Sequence, residues 1–175
     1  MSPYSAPCLL VLKKNGEHRL VIDYRALNKN VVPCAHPLPH IEHSLTVIGG
    51  NQYFSALDLA SGYHKNPLDE TTKHKTAIST GAGLFHFNRV PFWLITSAAA
   101  MQRNIEIALS DLNGRSCLVY VDDILVLGKD LEEHNKHLNE VLRRLIKVGF
   151  KLNLNKCDFA RFRTCYKQGR YKTGR

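Results

Sequence analysis

Two adjacent acids, Asp122 and Asp123, sit in Tyr120-Val121-Asp122-Asp123 between the apolar runs Ser116-Cys117-Leu118-Val119 and Ile124-Leu125-Val126-Leu127-Gly128. Runs rich in Val, Ile and Leu and bounded by Gly read as short strands, which puts the acids at or beside the turn of a tight hairpin. Carboxylates held against a core are costly unless a cation or hydrogen bonds compensate them. For the pair alone two accounts stay open: Asp favours hairpin loops in its own right, and a divalent cation would offset the charge. A third acid favours the cation. Asp58 lies in the strand-like run Tyr53-Phe54-Ser55-Ala56-Leu57-Asp58-Leu59, just before Ala60-Ser61-Gly62-Tyr63; alone it would read as a strand-end or cap residue. Mg²⁺ takes octahedral oxygen ligands with one or two carboxylates, and Asp58, Asp122 and Asp123 could together hold two ions about 4 Å apart. Such a pair activates an attacking oxygen and stabilises a leaving one in in-line phosphoryl transfer. The chemistry indicated is nucleotidyl transfer.

Positioning these acids requires a particular set of elements. Strands are expected near Leu9–Lys13 and His18–Asp23, followed by a Pro-rich connector from Pro33 to Pro39 and a short helix near Ile41–Ile48 ended by Gly49-Gly50. After the Asp58 strand, the loop-rich stretch from Asn66 to Arg89 holds two more strand-like runs, Thr76-Ala77-Ile78 and Leu84-Phe85-His86-Phe87. Ser97 to Leu109 is helical by its Ala content, with Asp111-Asn113-Gly114 as its stop. Leu131 to Val148 places Leu138, Val141, Leu142, Leu145 and Ile146 at helical spacing, so this helix buries one face beneath the sheet and stops at Gly149. His134 and His137 read as helix surface. The order β-α-β-β-α-β around the acid strands is an α+β, split βαβ, ferredoxin-like arrangement, an antiparallel sheet with helices on one face.

The ordered set of segments resembles the reverse transcriptase domain of gypsy-type LTR retrotransposons and, more distantly, of retroviruses. The resemblance is carried by Ser5-Ala6-Pro7, Val11 through Gly16, Arg19-Leu20-Val21-Ile22-Asp23-Tyr24-Arg25-Ala26-Leu27-Asn28 and Pro37-Leu38-Pro39. It continues through Phe54–Tyr63, Lys75-Thr76-Ala77, Pro91-Phe92, Gln102, the Tyr-Val-Asp-Asp box, Glu132-Glu133-His134 and Lys151-Leu152-Asn153 to Lys156-Cys157. It implies an RNA-directed DNA polymerase that binds an RNA or DNA template with its primer, takes dNTPs, and uses two Mg²⁺, with Mn²⁺ as a substitute. It implies a fingers-palm fragment over residues 1–160: fingers at 1–52 and 66–90, palm at 53–65 and 91–160, with no thumb and with a basic tail at 161–175.

The resemblance also assigns roles. Asp58, Asp122 and Asp123 are the metal acids, with the Leu59 carbonyl as a further ligand. Tyr63 corresponds to a ring beneath the sugar of the incoming nucleotide that excludes a 2′-hydroxyl; core packing of a Tyr with a hydrogen-bonded hydroxyl is the other reading. Arg19, with Lys13 or Lys14, corresponds to the groups that grip the triphosphate, although Lys14-Asn15-Gly16-Glu17 also reads as an ordinary hairpin turn. Phe92 and Gln102 join them as substrate-binding positions. Lys156 corresponds to a lysine that protonates the pyrophosphate leaving group; a solvated surface lysine is the alternative.

Departures from the family pattern fall near the same places. The family run after Pro-Phe is Gly-Leu-Thr-Asn-Ala-Pro; here Trp93-Leu94-Ile95-Thr96-Ser97-Ala98 follows Pro91-Phe92, and a Trp lacks the backbone freedom of Gly. Met101 replaces a Phe, His64-Lys65-Asn66 replaces a more apolar run, and Thr164 to Gly169 does not restore a primer-gripping hairpin. These departures predict a chain with little or no polymerase activity of its own. The alternative function is a noncatalytic nucleic-acid-binding remnant of a decayed retrotransposon.

Composition agrees with a nucleic-acid partner. The 175 residues carry a net charge of +9, and Arg161, Arg163, Lys167, Arg170, Lys172 and Arg175 follow one another without an intervening acid, a cationic stretch suited to a phosphate backbone or to a disordered tail. The five cysteines form no Cys-x-x-Cys pair, so no disulfide framework is expected. Cys34, His36, His40 and His43 are interrupted by Pro37 and Pro39 and lack a second ligand pair for zinc. No apolar run reaches membrane-spanning length and no signal segment opens the chain, so the expectation is an intracellular protein, cytoplasmic or nuclear, without a membrane partner; oligomeric state is left open.

Overall fold

A computed structural model describes residues 2–13, 16–34, 46–60 and 62–162. In chain order the elements are β1 (Ala6–Leu12), β2 (His18–Ile22), α1 (Arg25–Asn28), β3 (Tyr53–Asp58), β4 (Ile78–Thr80), β5 (Gly83–Phe85), α2 (Ser97–Ala108), β6 (Cys117–Tyr120), β7 (Asp123–Gly128), α3 (Leu131–Lys147) and β8 (Asp158–Phe162). The helix expected over Ile41–Ile48 lies outside the described residues except at 46–48, which are helical.

The chain divides into two units, Met1–His36 with Tyr63–Met101, and Pro37–Gly62 with Gln102–Arg175. These breaks differ from the fingers and palm limits read from sequence. Residues 91–97 are stitched to the first unit: the Asn28 amide donates to the Trp93 carbonyl at 2.9 Å and accepts the Ile95 N–H at 3.0 Å, and the Ser97 hydroxyl donates to the Pro91 carbonyl at 2.8 Å.

The first unit holds a four-stranded sheet in the order β2-β1-β4-β5. β1 pairs antiparallel with β2 and parallel with β4. Its small core forms where Ile22, Tyr24 and Ile78 meet Ala6, Cys8, Leu27, Phe87 and Leu94. The buried Tyr24 hydroxyl donates to the Thr76 carbonyl at 2.8 Å, and burial pushes its pKa up. The strand expected from Thr76 begins at Ile78, because Lys73–Thr76 close into a 3₁₀ turn.

The second unit holds an antiparallel sheet in the order β6-β7-β3-β8. With the elements β3-α2-β6-β7-α3-β8, that order is the ferredoxin-like split βαβ. Phe54, Leu57, Val119, Ile124, Val126, Leu127, Val141 and Leu145 form its core. Helix α3 starts at Asp130, whose side chain accepts the Glu133 N–H, with acids in its first turn and Arg144 and Lys147 in its last, matching the helix dipole. Its buried face carries His134, Val141 and Leu145, while Ile146 is 73% exposed. The surface assignment of His134 is therefore wrong. Its Nε2 lies 2.9 Å from the buried Ser55 hydroxyl of β3, a tie that apolar spacing does not reveal. The close approach needs Gly128 at the end of β7: a Cβ there would sit 2.5 Å from the backbone N and Cα of His134. Arg161 and Phe162 lie in β8, paired with Phe54 and Tyr53, so the tail expected from residue 161 is strand at its start.

Candidate active site

The register of β3 against β7 places Asp58 directly opposite Asp123, and residues so paired lie roughly 4.5–5.5 Å apart at Cα. Tyr120 pairs with Asp123 across the β6–β7 hairpin, which leaves Val121 and Asp122 as a two-residue loop. The Leu59 N–H donates to the Asp122 carbonyl at 3.2 Å, tying the loop to the residue that follows Asp58. All three acids therefore meet at one end of the β3–β7 pair.

Val121 has φ +54°, the left-handed region at the first loop position, where a tight hairpin ordinarily takes Gly. A β-branched residue is strained there, and such strain persists only where the surroundings over-determine it. Here Gln102 of α2 supplies the constraint. Its Oε1 accepts the Val121 N–H at 2.5 Å, and its Nε2 donates to the Val119 carbonyl at 3.3 Å. Gln102 is fully buried. The same Nε2 also donates to the Glu106 carboxylate at 2.5 Å, so the Gln102 amide ties the hairpin backbone to α2 and braces the acids.

Burial is the main cause that raises the Asp123 pKa, followed by the negative charges of Asp122 and Asp58, with Lys156 opposing them. The Lys156 ammonium lies 3.2 Å from Oδ2 of Asp58. The segment around Lys156 also grips the end of β3 on the side away from β7. Asn153 N–H donates to the Asp58 carbonyl at 2.9 Å, the Asp58 N–H donates to Cys157 Sγ at 3.4 Å, and that thiol donates to the Asn153 carbonyl at 3.3 Å. Three carboxylates offset by one ammonium form a donor set whose charge suits a divalent cation. Among the described residues no group of three His, Cys, Asp or Glu side chains is arranged to hold one; Asp58 instead gives an oxygen to Lys156.

The first unit gathers a second set of candidates. Tyr63 and Phe92 have ring centres 4.6 Å apart, and His64 meets Phe92 edge-on at 5.2 Å. The Arg19 guanidinium lies over Phe92 at 5.7 Å and over Trp93 at 5.4 Å. Lys13 is paired with Glu17 at 2.8 Å on the exposed hairpin between β1 and β2, a contact worth about 0–1 kcal/mol and so easily exchanged. Lys14 lies outside the described residues, as do His36, His40 and His43.

Residues 11–171 match the family model described as reverse transcriptase (RNA-dependent DNA polymerase). The chain belongs to the reverse transcriptase family. Among its relatives, the retrovirus-related Pol polyprotein from transposon 297 of Drosophila melanogaster is 39% identical over 163 residues, covering 90% of this chain and 15% of that polyprotein. The Pol polyprotein from transposon gypsy of the same organism is 36% identical over 164 residues, covering 90% and 16%. The foamy viral protease-reverse transcriptase in complex with an RNA/DNA hybrid superimposes with a TM-score of 0.79 at 28% identity, covering 91% of this chain and 22% of that one. The chain thus spans under a quarter of the length of these proteins. The α+β fingers-palm architecture agrees with that neighbour, and reverse transcriptases as a family depend on divalent metal. Among the described residues no helix is long and apolar enough to cross a membrane.

Sequence reading missed Asn153, Cys157, Ser55 and Gly128 as supports of the site. Asn153 and Cys157 fall within the run that resembles the family, and Gly128 ends the apolar run after the acids; their contacts emerge only when β8 and α3 close on β3 and β7.

Proposed function

We infer that this chain carries the nucleotidyl-transfer step of an RNA-directed DNA polymerase, joining deoxynucleotides to a primer 3′-hydroxyl along an RNA or DNA template inside the cell, in cytoplasm or nucleus. The observation that supports this reading is Asp58 facing Asp123, with Asp122 in the adjoining loop, in a chain of the reverse transcriptase family. Asp58, Asp122, Asp123 and the Leu59 carbonyl are the groups that would hold two Mg²⁺, or Mn²⁺ in their place. Such ions, when bound, supply activation of the 3′-hydroxyl oxygen and neutralisation of charge on the departing pyrophosphate.

The remaining roles belong to the chain's own side chains. Lys156, whose ammonium already attends Asp58, delivers a proton to the pyrophosphate. Arg19, with Lys13 or Lys14, takes triphosphate oxygens. The Tyr63 ring, set against Phe92, excludes a 2′-hydroxyl. Extension by the chain alone is weak, in keeping with the departures from the family pattern in the run after Phe92, at Met101 and at His64-Lys65-Asn66.

Primer extension on poly(rA) with an oligo(dT) primer and Mg²⁺ or Mn²⁺ tests this reading. Weak incorporation that disappears in both Asp58→Asn and Asp122→Asn is expected; incorporation surviving both changes overturns it. No incorporation, with salt-sensitive RNA binding unchanged in both variants, would instead support the noncatalytic remnant, which the net charge of +9 favours.

A further inference from the structure

Trp93 combines two features that do not suit an ordinary surface residue. Its φ is +76°, a region that L residues adopt rarely and at a cost, and its side chain is 50% exposed, so burial does not repay that cost. The conformation is held by the Asn28 amide, which bonds the Trp93 carbonyl and the Ile95 N–H on either side of Leu94. What it achieves is placement of the indole beneath a cation. The Arg19 carbon Cζ is 5.4 Å from the centre of the Trp93 ring and 5.7 Å from that of Phe92.

Arg19 is exposed, and among the described residues its guanidinium has no hydrogen-bond or ion-pair partner. Aromatic rings hold a guanidinium without supplying an oxygen to its N–H groups, so its five donors remain available to an oxyanion. A charge-assisted hydrogen bond to a phosphate oxygen is a few times stronger than an exposed cation–π contact. The rings therefore do not outcompete phosphate; they restrict a long side chain before phosphate arrives and reduce the entropy lost on binding.

We propose that Trp93, with Phe92, is a positioning residue for Arg19, an aromatic brace that presents the guanidinium to the phosphate groups of the incoming nucleotide. The role rests on the assignment of Arg19 as a phosphate ligand. Trp93 is the only tryptophan of the chain, so its emission reports the brace directly.

The test is titration of the 175-residue chain with dTTP and with inorganic tripolyphosphate, read by tryptophan emission and, for variants that lack the fluorophore, by calorimetry. Saturable binding with a change in Trp93 emission is expected in the wild type, and loss of both in Arg19→Gln. Trp93→Ala keeps the backbone cost and removes the ring; Trp93→Gly removes both, so its melting temperature rises. Each should bind about two- to tenfold more weakly than the wild type, the range expected when one freed long side chain must be ordered on binding, while Trp93→Phe stays within about twofold. Arg19-dependent binding that is as tight in Trp93→Ala and Trp93→Gly as in the wild type overturns the brace alone. Wild-type binding that does not depend on Arg19, or no binding, overturns the phosphate assignment of Arg19 and the brace with it.

Discussion

Asp58 at the end of β3 stands across the ladder from Asp123 at the start of β7, and the only cation placed against the pair is the Lys156 ammonium, 3.2 Å from Asp58 among the described residues. Burial and two like charges raise the Asp123 pKa. A folded-state pKa above the unfolded one means that ionised Asp123 opposes folding at neutral pH, and that the penalty is relieved as pH falls through its folded pKa.

Asp123→Asn should therefore raise the melting temperature at pH 7.5, by on the order of 2 °C given the site's partial exposure, and the gain should shrink as pH is lowered toward 4. Thermal melts of both proteins at each pH check this. A variant less stable than the wild type at pH 7.5 would contradict the like-charge account.

Gln102 gives a prediction of opposite sign. Gln102→Leu fills similar volume but leaves the N–H of the strained Val121 without its acceptor, a loss of about 1–3 kcal/mol for an unsatisfied buried donor. The melting temperature should fall by roughly 2–12 °C. If Gln102 acted only on substrate, the melt would not move while nucleotide binding would.

Burial holds the His134 pKa below its ordinary value, so the unfolded chain takes up the proton first. Stability from neutral His134 is complete above about pH 6.5 and is lost as pH falls below it. His134→Gln keeps a polar atom for Ser55 without titrating. The stability advantage of the wild type over this variant should be largest at pH 7.5 and smaller at pH 5.5; an advantage independent of pH would show that His134 does not titrate in that range. Taking the difference between the two proteins cancels the opposing contribution of Asp123.

The acids and their hairpin were legible because a carboxylate inside a Val-, Ile- and Leu-rich run is conspicuous, and the order of strands and helices around them follows from periodicity. The supports were not legible. Periodicity assigns α3 a face that includes Ile146, yet Ile146 is exposed and His134 is buried, because the helix is turned to bring His134 onto Ser55 and against Gly128. Gln102 reads as any polar helix residue until the backbone of Val121 comes within reach. Trp93 reads as a departure from a family glycine; its positive φ and the cation above its ring depend on Asn28 and Arg19, which lie far away in the chain.

Asp58, Asp122 and Asp123 should act together on a divalent cation. Calorimetric titration of Mn²⁺ into the wild-type chain, Asp58→Asn and Asp122→Asn measures that joint action. Saturable binding is expected in the wild type and at least about tenfold weaker binding in each variant, a loss of about 1.4 kcal/mol or more. Equal Mn²⁺ affinity in all three proteins would contradict it.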